Sequence, residues 1–258
     1  MREPTLVFDI ETIPDLEGGR RVLGLDGMND SEVAAAMRTL RLANKGHDFQ
    51  PAHLHRIVAI SAVLREGNNF RCWSLGDEGS SEADLVKRFF DGIEKYHPTL
   101  VSWNGNGFDL PVLHYRALLH GVQAARYWET GAEDQSFKWN NYLNRFHERH
   151  TDLMDVLAGY EGRASAPLHE IATMLGFPGK LGMAGGDVWE RWLGGEIDAI
   201  RDYCETDVLN TYLVYLRFQQ MRGRLTEPGY KSACQRVREL LESDGREHLR
   251  EFAAAWHK

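Results

Sequence analysis

The patterning of this chain predicts an α/β fold, a mixed sheet with helices packed on its faces. Three short apolar runs come first, the order then becomes strand, helix, strand, helix, and past residue 195 the apolar period is helical throughout. A meander followed by crossover units puts antiparallel and parallel neighbours into one sheet.

Thr5 to Ile10 (TLVFDI) is a short apolar run of the kind a central strand shows. Ile57 to Leu64 (IVAISAVL), rich in β-branched residues, is the second strand. Gly67-Asn68-Asn69 supplies a turn into a third strand, Phe70 to Leu75, so the second and third form a hairpin. From Ser81 the apolar residues Leu85, Phe89, Ile93 and Tyr96 fall at helical spacing behind a Ser-Glu start, and the helix should stop before Pro98. Thr99 to Trp103 is a fourth strand, Leu110, Leu113, Ala117 and Leu118 mark a helix directly after it, and a fifth strand is expected near His150 to Leu153. Pro14 to Gln50 reads as an insertion carrying one helix, Ser31 to about Asn44, with Gly46 as its stop. Ile197, Ile200, Tyr203, Cys204, Val208, Tyr212 and Leu216 sustain a long amphipathic helix that ends near Gly223. Glu227-Pro228-Gly229 reads as a break, followed by helices over about Tyr230 to Ser243 and Gly245 to His257.

With 258 residues, 43% hydrophobic and 26% charged, the chain is long enough for one or two domains with a real core, and its composition excludes collagenous, disulfide-dense and disordered classes. No internal repeat or low-complexity tract interrupts it. Its longest notable apolar run, Ile57 to Leu64, is far below the ~18 residues that span a bilayer, so no membrane association is expected. Met1-Arg2-Glu3-Pro4 lacks the apolar stretch of a secretory signal, and Cys72, Cys204 and Cys234 are odd in number and far apart, so a reducing, cytoplasmic setting is expected. The net charge of −8 argues at first against a nucleic-acid partner. A cluster of carboxylates around divalent metals would produce the same excess, so charge leaves the partner open.

Three constellations carry chemistry. Asp9 and Glu11, two apart on a strand, point to one face inside a run otherwise built for burial. They sit either at the strand's exposed end or around a hard cation such as Mg²⁺ or Mn²⁺, whose preferred ligands are carboxylate oxygens. In Ser102-Trp103-Asn104-Gly105-Asn106-Gly107-Phe108-Asp109 an apolar strand ends in a Gly-rich bend, and Asp109 opens a helix, where it could equally serve as an N-cap. The bend is not a dinucleotide fingerprint, since Leu110 stands where a third Gly or Ala is needed, and Gly179-Lys180-Leu181 is not a phosphate-binding P-loop. In Tyr203-Cys204-Glu205-Thr206-Asp207 the phenol and the last carboxylate are four apart and share a helix face, which a surface pair of no consequence would also satisfy.

Taken in order, Asp9-Ile10-Glu11-Thr12, Asn104-x-x-x-Phe108-Asp109 and Tyr203-x-x-x-Asp207 resemble the three exonuclease motifs of the DEDD 3′ to 5′ exonucleases, in the tyrosine-bearing branch found in the proofreading domain of family B DNA polymerases. The histidine-bearing branch is excluded, because its histidine would fall at Asp202. The resemblance covers roughly residues 5 to 222 and implies a ribonuclease H-like mixed five-stranded sheet, with residues 1–223 as the exonuclease domain, an insertion at 14–50 and an extra helical extension at 224–258. It implies Asp9, Glu11, Asp109 and Asp207 as ligands of two divalent cations, Mg²⁺ or Mn²⁺, Tyr203 as the group orienting the attacking water, and Thr12 and Asn104 near the terminal nucleotide. The 35 residues after Gly223 are too few for a polymerase domain, so the chain resembles the freestanding predicted members of this group, without proofreading in cis.

The expectation is therefore a two-metal 3′ to 5′ exonuclease acting on single-stranded 3′ ends, DNA ahead of RNA, releasing nucleoside 5′-monophosphates. A ribonuclease H-like endonuclease and an inactive nucleic-acid-binding module on the same fold are the rivals. Trp103, Phe108 and Tyr115 are candidates either to stack on a base or to belong to the core. From Arg217 to Lys258 nine basic residues face six acidic ones, and Arg217, Arg222 and Arg224 could guide a phosphate backbone or be a solvated helix end. Asp152 resembles a further acidic position near the fifth strand, with Asp155 competing and a capping role equally open. His53-x-His55 and His147-x-x-His150 have no nearby Cys partners, which makes zinc a minor prospect.

Overall fold

The computed structural model describes residues 4–256; the expected helix end at His257, and Lys258 in the basic count, lie outside them. Five strands form one sheet in the order β3-β2-β1-β4-β5: β1 (Thr5–Pro14), β2 (His55–Glu66), β3 (Asn69–Ser74), β4 (Thr99–Ser102) and β5 (His150–Asp152). The first three are an antiparallel meander, and β4 and β5 join parallel to β1 on its other side. This is the mixed sheet that the pattern predicts.

Alternation along β1 assigns its two faces. Leu6, Phe8 and Ile10 enter one apolar cluster with Phe89 and Leu113, from α3 (Glu82–Tyr96) and α4 (Asp109–His120). Val7 enters the other, against α8 (Ile197–Met221), α9 (Glu227–Ser243) and α10 (Glu247–Ala255). Asp9, Glu11 and Ile13 therefore lie on the α8 side. The helix α8 runs antiparallel to β1, with Cys204 meeting Asp9 and Tyr215 meeting Thr5. It is covered from both sides, which is why Tyr203 to Leu216 is buried nearly all round rather than on one stripe.

Several expectations need correction. β1 continues to Pro14 rather than ending at Ile10, so Asp9 and Glu11 are mid-strand, and a register shift between Glu11 and Thr12 bends the strand just past them. The 14–50 insertion carries two helices, α1 (Leu16–Leu23) and α2 (Asp30–Lys45), where one was expected. Gly18-Gly19 hid the first from pattern reading; Asp15 caps it by accepting from the Gly18 N–H at 3.0 Å, and Gly19 packs where a side chain would strike Met37. Glu227-Pro228-Gly229 is the first turn of α9 rather than a break: Thr226 Oγ1 accepts from the Gly229 N–H, and proline costs no hydrogen bond in that turn. Short helices α5 (Leu153–Leu157), α6 (Leu168–Met174) and α7 (Val188–Leu193) complete the chain. No helix among the described residues is long and apolar enough to cross a membrane.

Candidate active site

The odd-numbered face of β1 brings its acids under α8. Oxygens of Asp9 and Glu11 and the sulfur of Cys204 all lie within 4.8 Å of one another, and Cys204 Sγ contacts Asp9 O at 3.5 Å and Asp9 Oδ2 at 3.7 Å. Asp109 arrives from the bend after β4. It is the first residue of α4, not the N-cap; Phe108 takes that position, and the Asp109 carboxyl turns inward to the Ile10 backbone N–H. Asp207 arrives one turn after Tyr203 on α8. Glu11, Asp109 and Asp207 are all buried, and Asp9, Asp109 and Asp207 line one pocket of about 310 Å³ together with Asn104, Phe108 and Lys180.

Four carboxylates out of water and within reach of one another cannot all ionise readily. Burial, then Asp109, Glu11 and Asp207, push the Asp9 pKa well above its ordinary value. Burial, then Asp207 and Asp109, do the same to Glu11, with Lys180 opposing. Asp109 is pushed up to about 7, chiefly by burial, against the restraint of backbone amides. Burial raises Asp207 as well, while Lys180, the Tyr203 hydroxyl and His169 restrain it. Asp207 Oδ1 is buried with no hydrogen-bond partner among the described residues, an orphan of the kind that a bound cation satisfies. Oxygen donors of this number and type fit hard divalent ions.

The phenol is placed by residues that the sequence reading passed over. Lys180 Nζ donates to Tyr203 Oη at 2.7 Å. Lys180 reaches it because Asn210, one turn beyond Asp207, holds the Gly179 peptide by both its N–H (3.0 Å) and its C=O (2.9 Å). Gly179 itself has a φ of 67°, and a side chain there would meet Thr173 Oγ1 at 2.7 Å. The only local signal was the Gly-Lys pair, dismissed as an incomplete P-loop; the contact with α8 is tertiary. Burial, then Asp207, Glu11 and Asp9, drive the Tyr203 pKa far upward, so the phenol stays protonated.

Asp152 is an architectural residue. Its carboxylate accepts from the backbone N–H groups of Asn104 and Asn106 at 2.9 Å each and caps α5 at Met154, fixing the bend that aims Asp109. Asn104 takes a left-handed φ of 65° in that bend. Asp155 pairs with Arg145 at 3.0 Å. Thr12 Oγ1 bonds His55 Nδ1 at 2.8 Å, and Phe108 meets the His55 ring edge-on at 5.0 Å; with Glu11 these three line a second cavity adjoining the acids. Trp103 also lines the acid pocket, whereas Tyr115 lies apart with its ring against His53.

Arg217, Arg222 and Arg224 do not flank the site. They lie at the far end of α8, past the start of β1, where Arg217 covers the Tyr230 ring at 4.1 Å and Arg222 and Arg224 face Glu148. The histidine pairs hold no metal-like cluster among the described residues: His55 is bonded to Thr12, His147 to the Asn141 N–H, and His150 to Ser102.

A mixed five-stranded sheet that gathers four carboxylates from three distant segments under one helix defines a domain of the exonuclease type. Residues 47–256 match the model of predicted 3′-5′ exonucleases related to the exonuclease domain of PolB, and the chain belongs to that family. The match takes in α9 and α10 and begins after Asp9 and Glu11. The fold is similar to the family B DNA polymerase of the archaeon Pyrobaculum calidifontis, with a TM-score of 0.53 and 18% identity over 98% of this chain and 27% of that one. A 38-residue stretch, 15% of this chain, is 50% identical to DNA polymerase 1 of Sulfurisphaera ohwakuensis and covers 4% of it. The chain thus spans about a quarter or less of the polymerases it matches.

Proposed function

We propose that this protein is a two-metal 3′ to 5′ exonuclease that removes nucleoside 5′-monophosphates from the 3′ ends of single-stranded nucleic acid, DNA ahead of RNA, with a role in DNA repair. The observation that carries this is the convergence of Asp9, Glu11, Asp109 and Asp207 on one buried centre in which Asp207 Oδ1 has no hydrogen-bond partner among the described residues. Two divalent cations, Mg²⁺ or Mn²⁺, held by these four residues would supply a deprotonated water at neutral pH and charge stabilisation for the departing O3′.

The chain's own groups divide the remaining work. Tyr203 is a donor rather than a base, because its pKa is raised; its hydroxyl accepts from Lys180 and bonds the Asp207 carboxyl, and with cations on Asp207 the phenol proton would turn to orient the attacking water. Lys180 also offsets the negative charge at Glu11 and Asp207. Thr12, Asn104 and Phe108 border the acids and would seat the terminal nucleotide, Phe108 by stacking. Residues 1–223 form the catalytic unit with its 14–50 insertion, and 224–258 form an extension whose α9 and α10 brace α8. The cysteines are unpaired, which supports a cytoplasmic setting.

The test is a 5′-labelled single strand incubated with Mn²⁺. A ladder of single-nucleotide losses is expected, with none from Asp9→Ala. Cleavage of a circular single strand would indicate the endonuclease, and nucleic-acid binding without any Mn²⁺-dependent cleavage would indicate the binding module.

A further inference from the structure

Three cavities lie end to end from the acids across the insertion. The acid pocket shares Ile10 and Phe108 with the second cavity, of about 570 Å³, behind Glu11 and Thr12. That cavity shares Ile13, Pro14, Ala34 and Trp189 with a third of about 1000 Å³, walled by α1 and α2 on one side and α7 on the other. The run is continuous with the site and too large for one terminal nucleotide. Rings recur along it: Phe49 is 56% exposed, with its ring 5.3 Å from Phe108 and 4.9 Å from His55, and the half-buried Trp189 and Trp192 follow on α7.

Most cations along this run are already matched. Arg20 pairs with Asp30, Arg38 with Asp48, and Arg116 with Asp15 and Glu82. Arg56 differs: it is exposed, its guanidinium lies 5.5 Å over the Trp192 ring, and it has no carboxylate partner among the described residues. One exposed ring, half-buried rings beyond it and an exposed guanidinium without a carboxylate suit bases and a single phosphate, which is the chemistry of a single-stranded nucleic acid rather than of a duplex backbone.

We infer that the groove between α1, α2 and α7 holds the 5′-ward continuation of the strand whose 3′ end lies at the acids, with Phe49 as a base-stacking face and Arg56 as a phosphate contact. This rests on the exonuclease reading, and it gives the 14–50 insertion its purpose: it lengthens the site from a terminal nucleotide to a track.

The test measures the affinity of fluorescein-labelled oligo(dT) of two, four and ten nucleotides by anisotropy in Ca²⁺, with hydrolysis of thymidine 5′-p-nitrophenyl phosphate in Mn²⁺ measured separately on the wild type. Wild-type affinity should rise with length. Phe49→Ala and Arg56→Ala should each bind the ten-mer about fivefold or more weakly, with the dinucleotide little changed, and Phe146→Ala, an exposed ring packed on Tyr160, should match the wild type. Arg56→Ala should also reduce the salt slope of ten-mer binding by about 0.7. Arg56 is exposed, so its variant tests the track even if Phe49→Ala disturbs folding. Unchanged ten-mer binding in both variants, with the wild type hydrolysing the nitrophenyl ester, overturns the track and leaves the exonuclease. Length-dependent losses with no ester hydrolysis overturn the exonuclease and support the groove as a strand-binding surface.

Discussion

Asp109→Asn should stabilise the metal-free protein, by an amount that grows with pH and is complete above neutrality. The carboxyl is 4% exposed, and its pKa is pushed from 3.8 to about 7 by burial. Between those values the folded state holds a proton that the unfolded chain has released, so stability falls as pH rises through this window and the full cost is reached above about pH 7. At about 1.4 kcal/mol per pH unit the ceiling is about 4 kcal/mol. Asp9, Glu11 and Asp207 share the proton uptake, so about 2–4 kcal/mol is the expected gain at pH 8, or roughly 4–16 °C in Tm for a chain of this size. Near pH 4.5 the gain should shrink to about 1 kcal/mol, because only about 0.7 pH unit of the window lies below it. The assay is urea and thermal unfolding of both proteins at pH 4.5, 6 and 8. The neutral buried histidines His114 and His150 contribute the opposite trend, but equally to both proteins, so the difference isolates Asp109. Saturating Mn²⁺ should reverse the order at pH 8, since the wild type gains binding energy that the variant has lost. A gain independent of pH, or a loss at pH 8, would refute the idea that the carboxylates repel one another in an otherwise intact fold.

Asp9→Ala or Asp207→Ala should abolish hydrolysis while circular dichroism stays native. Tyr203→Phe should lose at least about tenfold and still exceed both, because it removes an orienting hydroxyl and leaves the cation ligands; an equally complete loss would contradict that division. Asp152→Ala should cost about 2–4 kcal/mol of unfolding free energy, since backbone donors at Asn104, Asn106 and Met154 lose their acceptor, and activity should fall with it as the bend releases Asp109. His248 has the ordinary sign for a paired histidine: although burial opposes it, Asp202 and Glu205 raise it to about 9. Its contribution is complete below about pH 6.5 and disappears by about pH 9, with a ceiling of about 3 kcal/mol, and His248→Gln should flatten the alkaline decline of the urea midpoint.

The sheet was legible because each strand carries its own alternation and each turn its own punctuation. The meander, the two parallel additions and the long α8 could be read from Thr5, Ile57, Thr99 and Ile197 onward. What failed was whatever depended on distance through space. Nothing in the pattern announced α1, because the Met37 side chain that requires Gly19 is 18 residues away in the chain. The arginines after Leu216 fitted a guide for the strand and a solvated helix end equally, because charge counting does not reveal that α8 runs antiparallel to β1 and carries them to the opposite end of the sheet. Lys180 was invisible for the same reason: it is delivered by the Gly179–Asn210 peptide clamp, which joins positions 31 apart. The acids were singled out by the ordered set on strand, bend and helix and by the family it resembles, since each spacing alone fitted a plain structural role as well.

How a core strand tolerates two acids is answered by where β1 divides its labour. Leu6, Phe8 and Ile10 anchor one face against α3 and α4, and on the other face Val7 and Ile13 bracket the acids with apolar packing. The unfavourable pair thus lies just past the Thr5–Val7 stretch where β1 is paired on both sides, with β2 alone beside it, and the register shift after Glu11 bends the strand before pairing with β2 resumes. Across from them α8 offers Cys204, a small thiol that contacts Asp9 without neutralising it, where an Arg or Lys would have stabilised the apo fold and occupied the space a cation needs. The nearest cation, Lys180, is held one group back by the Tyr203 hydroxyl. A centre built only for stability would have placed that ammonium among the carboxylates. Keeping it at the phenol offsets only part of the negative charge at Glu11 and Asp207, which makes sense if the rest of the compensation is supplied by ions that bind together with substrate.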